Sequence, residues 1–319
     1  MTRRTIAALQ SDKHANHKLG LCNPETMLPA DDEVGRPVDV RVSISPFQQA
    51  LWEMYTEDVA AVLDFAAGDE VVVFDLGDQT HGNKYPDNQM SACMADQFAI
   101  ARANWAPWML KPNVRRFRFS KGTGAHVYGE GSSETILAAE LAYFMTAMAT
   151  GATPYDTDAV ENKLAAQMQR LDPGADVRAV YHGVADIDGV RIDYAHHGPG
   201  PGMRDWTQGN QVRYYLRSLI LEQRRMGLQP ADVYVRGHRH AFTHEALLSE
   251  MWDGDLYDYH MVTLPSYCGM GAYGLQATFS APFQWFGTLA VEILDGEVGR
   301  IRPFVHCVDI RSWEVICGS

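Results

Sequence analysis

Short apolar runs alternate along this chain with longer segments whose apolar positions recur every three or four residues, the pattern of a layered α/β fold. Thr5 to Gln10 is the first strand expected, and it stops at Ser11-Asp12. From Pro46 to about Ala67, residues Leu51, Met54, Tyr55, Val59, Val62 and Leu63 fall on one helical face; Pro46 suits a helix start and Gly68 a helix end. Glu70 to Leu76 carries Val71, Val72, Val73 and Phe74 without alternation, which predicts a strand covered on both faces. It stops at Gly77-Asp78.

A helix is predicted over Asn88 to about Leu110, a strand over Arg115 to Phe119 leading into Gly122-Thr123-Gly124-Ala125-His126, and a helix over Glu134 to Thr150. Gly151 to Asp158 reads as a loop and Ala159 to Leu171 as an amphipathic helix. The expectation is therefore one domain over residues 1–319, with a helical insertion at about 130–172. Val177 to Gly183 and Val190 to Tyr194 are expected to pair around Asp188-Gly189, the second run ending at Ala195-His196-His197. Asn210 to Met226 predicts a helix stopped by Gly227 and Pro230, and Val233 to Val235 a strand running into Gly237-His238-Arg239-His240. Further strands are expected around Met261 to Leu264, Phe286 to Leu294 and Arg300 to Asp309.

Composition narrows the class. Hydrophobic residues at 46% and charged residues at 21% supply a core and a soluble surface. A net charge of −13 disfavours binding along an extended duplex, which needs many Lys and Arg contacts to phosphate. Arg115, Arg116 and Arg118 form a local basic patch that reads first as a solvated face. The cysteines, Cys22, Cys93, Cys268, Cys307 and Cys317, are scattered without a Cys-x-x-Cys pair, as expected of reduced thiols in the cytoplasm. Ser11 and Asp12 interrupt the N-terminal apolar run too early for a signal peptide, and the apolar window Ile136 to Thr150 is too short for a membrane span of about 20 residues.

The candidate chemistry lies where apolar runs stop. Five runs end in Asp, His or both: Asp12-x-His14, Gly77-Asp78, the segment reaching His126, His196-His197, and Gly237-His238-Arg239-His240. Ligands at strand ends converge on one edge of a sheet, where rigid backbone fixes their geometry. Carboxylate oxygen and imidazole nitrogen together suit a divalent transition metal. Taken singly, Asp78 would serve as a helix cap or turn residue and the other groups as turns.

Together, in this order, the motifs resemble the calcineurin-like metallophosphoesterase superfamily, whose signature runs Asp-x-His, Gly-Asp, Gly-Asn-His-Asp/Glu, a lone His, and Gly-His-x-His. The match extends from residue 6 to about residue 245. The resemblance implies a four-layer α-β-β-α sandwich, two mixed sheets flanked by helices. It also implies two divalent ions, among them Mn, Fe, Zn or Ni, that activate a water to attack a phosphate ester. Carried over, Asp12, His14 and His240 would hold the first ion, Asp78 would bridge, and His238 with His196, or its neighbour His197, would hold the second.

The third motif departs from the family. Gly122-Thr123-Gly124-Ala125-His126 lacks the amide ligand, and its His is displaced by two residues. His126 is then either the general acid for the leaving group, with Thr123 or a water filling the second ion's coordination, or itself a ligand. His81 stands where the protein phosphatases of the superfamily carry Asp-Arg, which argues against a phosphoprotein substrate; His81 is an extra ligand, a substrate contact or a turn residue. His17 is expected to line the cleft. The aromatic residues Tyr267, Tyr273, Phe279, Phe283, Trp285 and Phe286 read as core and edge packing ahead of a base-stacking wall. No His-x-His-x-Asp-His run supports a metallo-β-lactamase fold. The expected substrate is a phosphodiester, such as a nucleotide, cyclic nucleotide or nucleic-acid end, with a phosphomonoesterase or a catalytically decayed scaffold as the alternatives.

Overall fold

A computed structural model describes residues 3–31, 33–126, 133–199, 208–252, 254–271, 275–276 and 282–312, apart from residues 151–175. Alternation along the first strands decides the layering. In β1 (Arg4–Gln10), Ile6 and Ala8 point to one face and Ala7 and Leu9 to the other; in β4 (Glu70–Asp75), Val71 and Val73 oppose Val72 and Phe74. All are buried, so this sheet is covered on both faces.

The first sheet has six strands in the order β13 (Glu297–Asp309), β12 (Phe283–Leu294), β1, β4, β5 (Val114–Ser120), β6 (Asp176–Val180). β1, β4, β5 and β6 run parallel, and β12 and β13 are antiparallel additions. The second sheet has five strands: β10 (Thr243–Trp252), β11 (Asp255–Thr263), β9 (Val233–Arg236), β8 (Val190–Ala195), β7 (His182–Ile187). Its three central strands are parallel. A small hairpin, β2 (Met27–Asp31) with β3 (Pro37–Arg41), stands apart.

Three apolar clusters separate the layers. α1 (Pro46–Ala66), α2 (Met94–Ala103), α3 (Ala106–Met109) and α4 (Ser133–Thr150) cover one face of the first sheet, joining Leu51, Val62, Ile100, Trp108 and Leu141 to Ile6, Val71 and Phe117. The second cluster, with Leu9, Phe74, Ile192, Val235 and Val262, lies between the sheets. α5 (Gln208–Arg225) closes the far side through Val212, Leu216 and Ile220 against Tyr234, Tyr259 and Met261. The result is the α-β-β-α sandwich. Each fully buried Val, Leu, Ile or Phe side chain contributes roughly 1.5–3 kcal/mol, enough in sum to hold a polar, strained rim.

Two expectations change. The helix expected over Asn88 to Leu110 begins only at Met94 and breaks at Asn104. Pro107 has no N–H to offer the Ala103 carbonyl, which instead accepts Asn23 Nδ2 at 3.0 Å, while Asn104 turns its own amide to Leu21 O and Asn23 N. Before it, Asn88 O and Met90 N pair with the loop at Asn16–Lys18. The run Val177 to Gly183 is also divided: Val177–Val180 pairs with β5, and only His182 onward pairs with β8. The predicted turn holds, with Asp188 and Gly189 both at positive φ (54° and 97°).

Of the expected insertion, α4 packs on β5 and β6, and residues 151–172 with the helix read at Ala159 to Leu171 lie outside the described residues. Arg116 and Arg118 pair with Glu70 and Asp176, so two of the three arginines of the basic patch have acidic partners, and Arg115 Nε donates to Pro112 O. Tyr267 and Phe286 are buried, as packing predicts; Tyr273 and Phe279 lie outside the described residues. No helix among the described residues is long and apolar enough to cross a membrane.

Candidate metal centre

Parallel strands deliver their carboxyl ends to one edge, and the loops that follow zip together there. Asp12 N donates to Gly77 O (3.1 Å) and His14 N to Asp78 O (2.9 Å), tying the loop after β1 to the loop after β4. Gly237 N donates to His196 O (3.0 Å), tying the loops after β8 and β9. Close approach needs residues without Cβ. A Cβ on Gly122 would lie 2.0 Å from Asp78 Oδ1, and one on Gly237 would lie 2.2 Å from Ser11 Oγ.

Backbone strain marks the same residues. Asp12, His14, Asp78, His238 and His240 all have positive φ, between 45° and 69°. Such conformations cost about 1–3 kcal/mol each and persist where the surroundings over-determine them, typically at functional sites.

Asp78 is the hub. Its Oδ1 accepts Thr123 N at 2.7 Å and Thr123 Oγ1 at 3.2 Å. Its Oδ2 lies 3.2 Å from His196 Nε2, and 4.0 Å from both His14 Nε2 and His126 Nε2. Asp12 mirrors this: Oδ2 accepts Ser11 Oγ and His238 N, while Oδ1 faces His240 Nε2 at 3.4 Å and His14 Nε2 at 3.8 Å. His196 Nε2 and His238 Nδ1 are 3.1 Å apart, and the His196 Nδ1 bonds Leu76 O, which turns Nε2 toward the site.

Burial raises the carboxyls, but the imidazoles outweigh it: His240 and His14 at Asp12, and His196 and His126 at Asp78, hold both well below the usual carboxylate range. Burial lowers His14 to about 4 and His238 to about 4, so both are neutral donors near neutral pH. Burial also opposes a charge on His196, yet the Asp78 carboxylate lifts it to about 10. A cation arriving there must displace that proton.

These residues fit a metal. Asp12 Oδ1 and His14 Nε2 are buried without a hydrogen-bond partner among the described residues, an expense that a cation relieves. Asp12, His14 and His240 bring one ligand atom each within 4.8 Å of one another, as do Asp12, Asp78 and His196. His196, His197 and His238 form a third such group, and His14, His81 and His126 a fourth. All six residues expected as ligands thus meet at one rim. Between the two neighbours, His196 is buried and in contact with Asp78, whereas His197 is exposed. Thr123, expected with water as an alternative to fill the second ion's coordination, holds Asp78 through its N–H and hydroxyl. His17 is buried, with its ring centroid 4.6 Å from that of His81, and its Nδ1 accepts Leu19 N.

Several supporting residues escaped the sequence reading. Lys13, between two ligand positions, is fully buried; its ammonium pairs with Asp75 and sits 3.9 Å from the Trp105 ring centroid. Asp75 Oδ1 accepts Gly77 N at 3.2 Å and Gln79 Nε2. Glu134, at the start of α4, accepts Gln79 N at 3.3 Å, and burial together with the Asp78 charge pushes it up to about 7. A charged residue inside an apolar run, as Asp75 is, was the available signal.

No family model and no curated protein matches the sequence. Solved structures similar to the chain include a single mutant of Vps29 from Entamoeba histolytica, 13% identical over 96% of this chain and 99% of that one, with a TM-score of 0.32. Wild-type Vps29 from Entamoeba histolytica complexed with Zn+2 is also similar, at 13% identity over 94% of this chain and 99% of that one, with a TM-score of 0.32. The NAD nucleotidase NadN of Haemophilus influenzae is 10% identical, over 95% of this chain and 50% of that one, with a TM-score of 0.34.

Proposed function

We propose that this chain is a dinuclear metal-dependent phosphoesterase acting on a phosphodiester, such as a nucleotide, cyclic nucleotide or nucleic-acid end. The observation that carries this reading is the meeting of two donor groups, Asp12–His14–His240 and His196–His238, at the single carboxylate of Asp78. Asp12, His14 and His240 would hold one ion, His196 and His238 the other, with Asp78 shared. When bound, a pair of divalent cations, of Mn, Fe, Zn or Ni, supplies positive charge to phosphoryl oxygens and acidifies a bound water.

The chain's own groups orient and transfer protons. Thr123 fixes Asp78, its N–H on Oδ1 at 2.7 Å and its hydroxyl between Oδ1 and Oδ2 at 3.2 and 3.3 Å, while Oδ2 also faces His196. Ser11 and the His238 N–H fix Asp12 in the same way. His126 Nδ1 donates to His81 O at 2.6 Å, so Nε2 is the nitrogen that faces the site; it takes a proton from solvent to become the imidazolium and then passes that proton to the departing alkoxide. The missing Asp-Arg pair next to Asp78 favours a diester over a phosphoprotein. Free thiols at Cys22, Cys93, Cys268 and Cys307 support a cytoplasmic setting.

The test compares bis-p-nitrophenyl phosphate with p-nitrophenyl phosphate as substrates of the full chain loaded with Mn or Zn. Faster turnover of the diester, lost in Asp78→Asn, supports the reading. Preference for the monoester replaces it with a phosphomonoesterase, and inactivity on both despite bound metal favours a scaffold.

A further inference from the structure

His81 takes no part in the arrangement above, yet it is 3% exposed. Its Nε2 lies 3.1 Å from Tyr85 O, and a carbonyl can be met only by an N–H, so the ring proton is on Nε2 and Nδ1 carries a bare lone pair. That Nδ1 is buried without a hydrogen-bond partner among the described residues. The same reasoning applies to His126, whose Nδ1 is spent on His81 O, leaving its Nε2 as an acceptor. His14 Nε2 is also buried and unpartnered. His14, His81 and His126 each bring a ring nitrogen within 4.8 Å of the other two. Lone pairs cannot satisfy one another; only a proton donor or a cation between them can.

We propose that His14, His81 and His126 form a tris-imidazole seat for a zinc-class divalent cation, bordering the positions assigned around Asp78, whose Oδ2 lies 4.0 Å from both His14 Nε2 and His126 Nε2. Three imidazoles, with one carboxylate oxygen at their border, make a nitrogen-rich donor set that suits zinc over Mg, Ca or Mn, which prefer oxygen. The backbone bonds to Tyr85 O and His81 O act as outer supports that fix the tautomers of two of the three rings. The inference does not rest on the phosphoesterase reading. It does bear on it: a neutral imidazole gives one lone pair to one ion, so zinc in this seat withdraws His14 from the Asp12–His14–His240 group and His126 from proton transfer. Excess zinc is then an antagonist of hydrolysis.

The experiment is anomalous diffraction at the zinc edge from crystals of the full chain soaked in zinc chloride, with equilibrium dialysis of zinc alongside. The expected result is an anomalous peak bounded by the three rings in the wild type. His81→Phe, which keeps the apolar volume, and His81→Ala lose that peak and one zinc equivalent while density next to Asp78 remains. A wild-type map with no anomalous peak among the rings, a water there instead, or a peak that persists in His81→Phe overturns the proposal, and the wild-type map decides even if the variants do not fold. Failure of the phosphoesterase reading has a different signature, a peak among the three rings and none among Asp12, Asp78 and His196.

Discussion

Lys13→Met tests how the rim is held. The substitution keeps an unbranched side chain and removes the ammonium, which faces Asp75 and sits 5.8 and 3.9 Å from the Tyr55 and Trp105 ring centroids. Both partners are buried, so the variant leaves a carboxylate with only Gly77 N and Gln79 Nε2 to stabilise it. Removing one partner of such a pair costs about 3–5 kcal/mol. Burial raises Asp75 to about 6 against Lys13's opposing charge, above its ordinary value of 3.8. A raised folded value means that this carboxyl's contribution to stability is full below the ordinary value and is lost as pH rises through the folded one. Without the ammonium the folded value climbs further, and each pH unit between the wild-type and the variant folded values adds about 1.4 kcal/mol to the penalty. The penalty should therefore be small near pH ~5, where a proton stands in for the ammonium, and reach about 3–5 kcal/mol near pH ~8. Urea unfolding of wild type and variant at both pH values, read as a midpoint change at constant slope, measures it. Lys13→Met/Asp75→Asn should recover most of the loss. A penalty that is equal at the two pH values, or under about 1 kcal/mol at the higher one, refutes the assignment of the pair as a buried, desolvated ion pair.

The remaining predictions concern the centre itself. In the chain loaded with Mn, His126→Ala should lower turnover by about 10²–10⁴-fold with the Mn retained, checked by metal analysis beside kinetics; lost Mn makes His126 a required ligand of the pair at Asp78. Gly122→Ala drives a methyl into Asp78 Oδ1 and its N–H, so metal binding should fail and thermal stability fall, by about 1–3 kcal/mol for overpacking; an unchanged metal content contradicts the geometry. Because Asp78 holds a proton on His196 up to about 10, metal uptake should release a proton and tighten as pH rises toward that value; calorimetry in buffers of different ionisation enthalpy shows it, and a buffer-independent heat excludes it.

Much of this centre was legible because apolar runs that stop abruptly leave their polar successors at a sheet edge. Asp12, Asp78, His238 and His240 were found in that way, and α1, β4 and α5 followed from periodicity with ends within a residue or two. The helix break at Asn104 was hidden because Trp105, Trp108 and Met109 continue an apolar pattern across it; Pro107 was the signal against it. The division of Val177 to Gly183 between two sheets was hidden because alternation specifies a face and never a partner. The left-handed backbone at Asp12, His14 and Asp78 could not be read from residue type, since Asp and His enter that region more often than most residues but still only occasionally. Lys13 and Asp75 look in sequence like solvated charges, and only the fold reveals that each is the other's counter-ion.

The central claim is that two cations share Asp78. Its most direct test is the metal content of purified full-length chain after equilibration with manganese and gel filtration, compared with Asp78→Asn. The account predicts two ions per wild-type chain and loss of both, or weakening of both by at least about 100-fold, in the variant. A wild-type chain that retains no metal, or an Asp78→Asn chain that holds two as tightly, contradicts it.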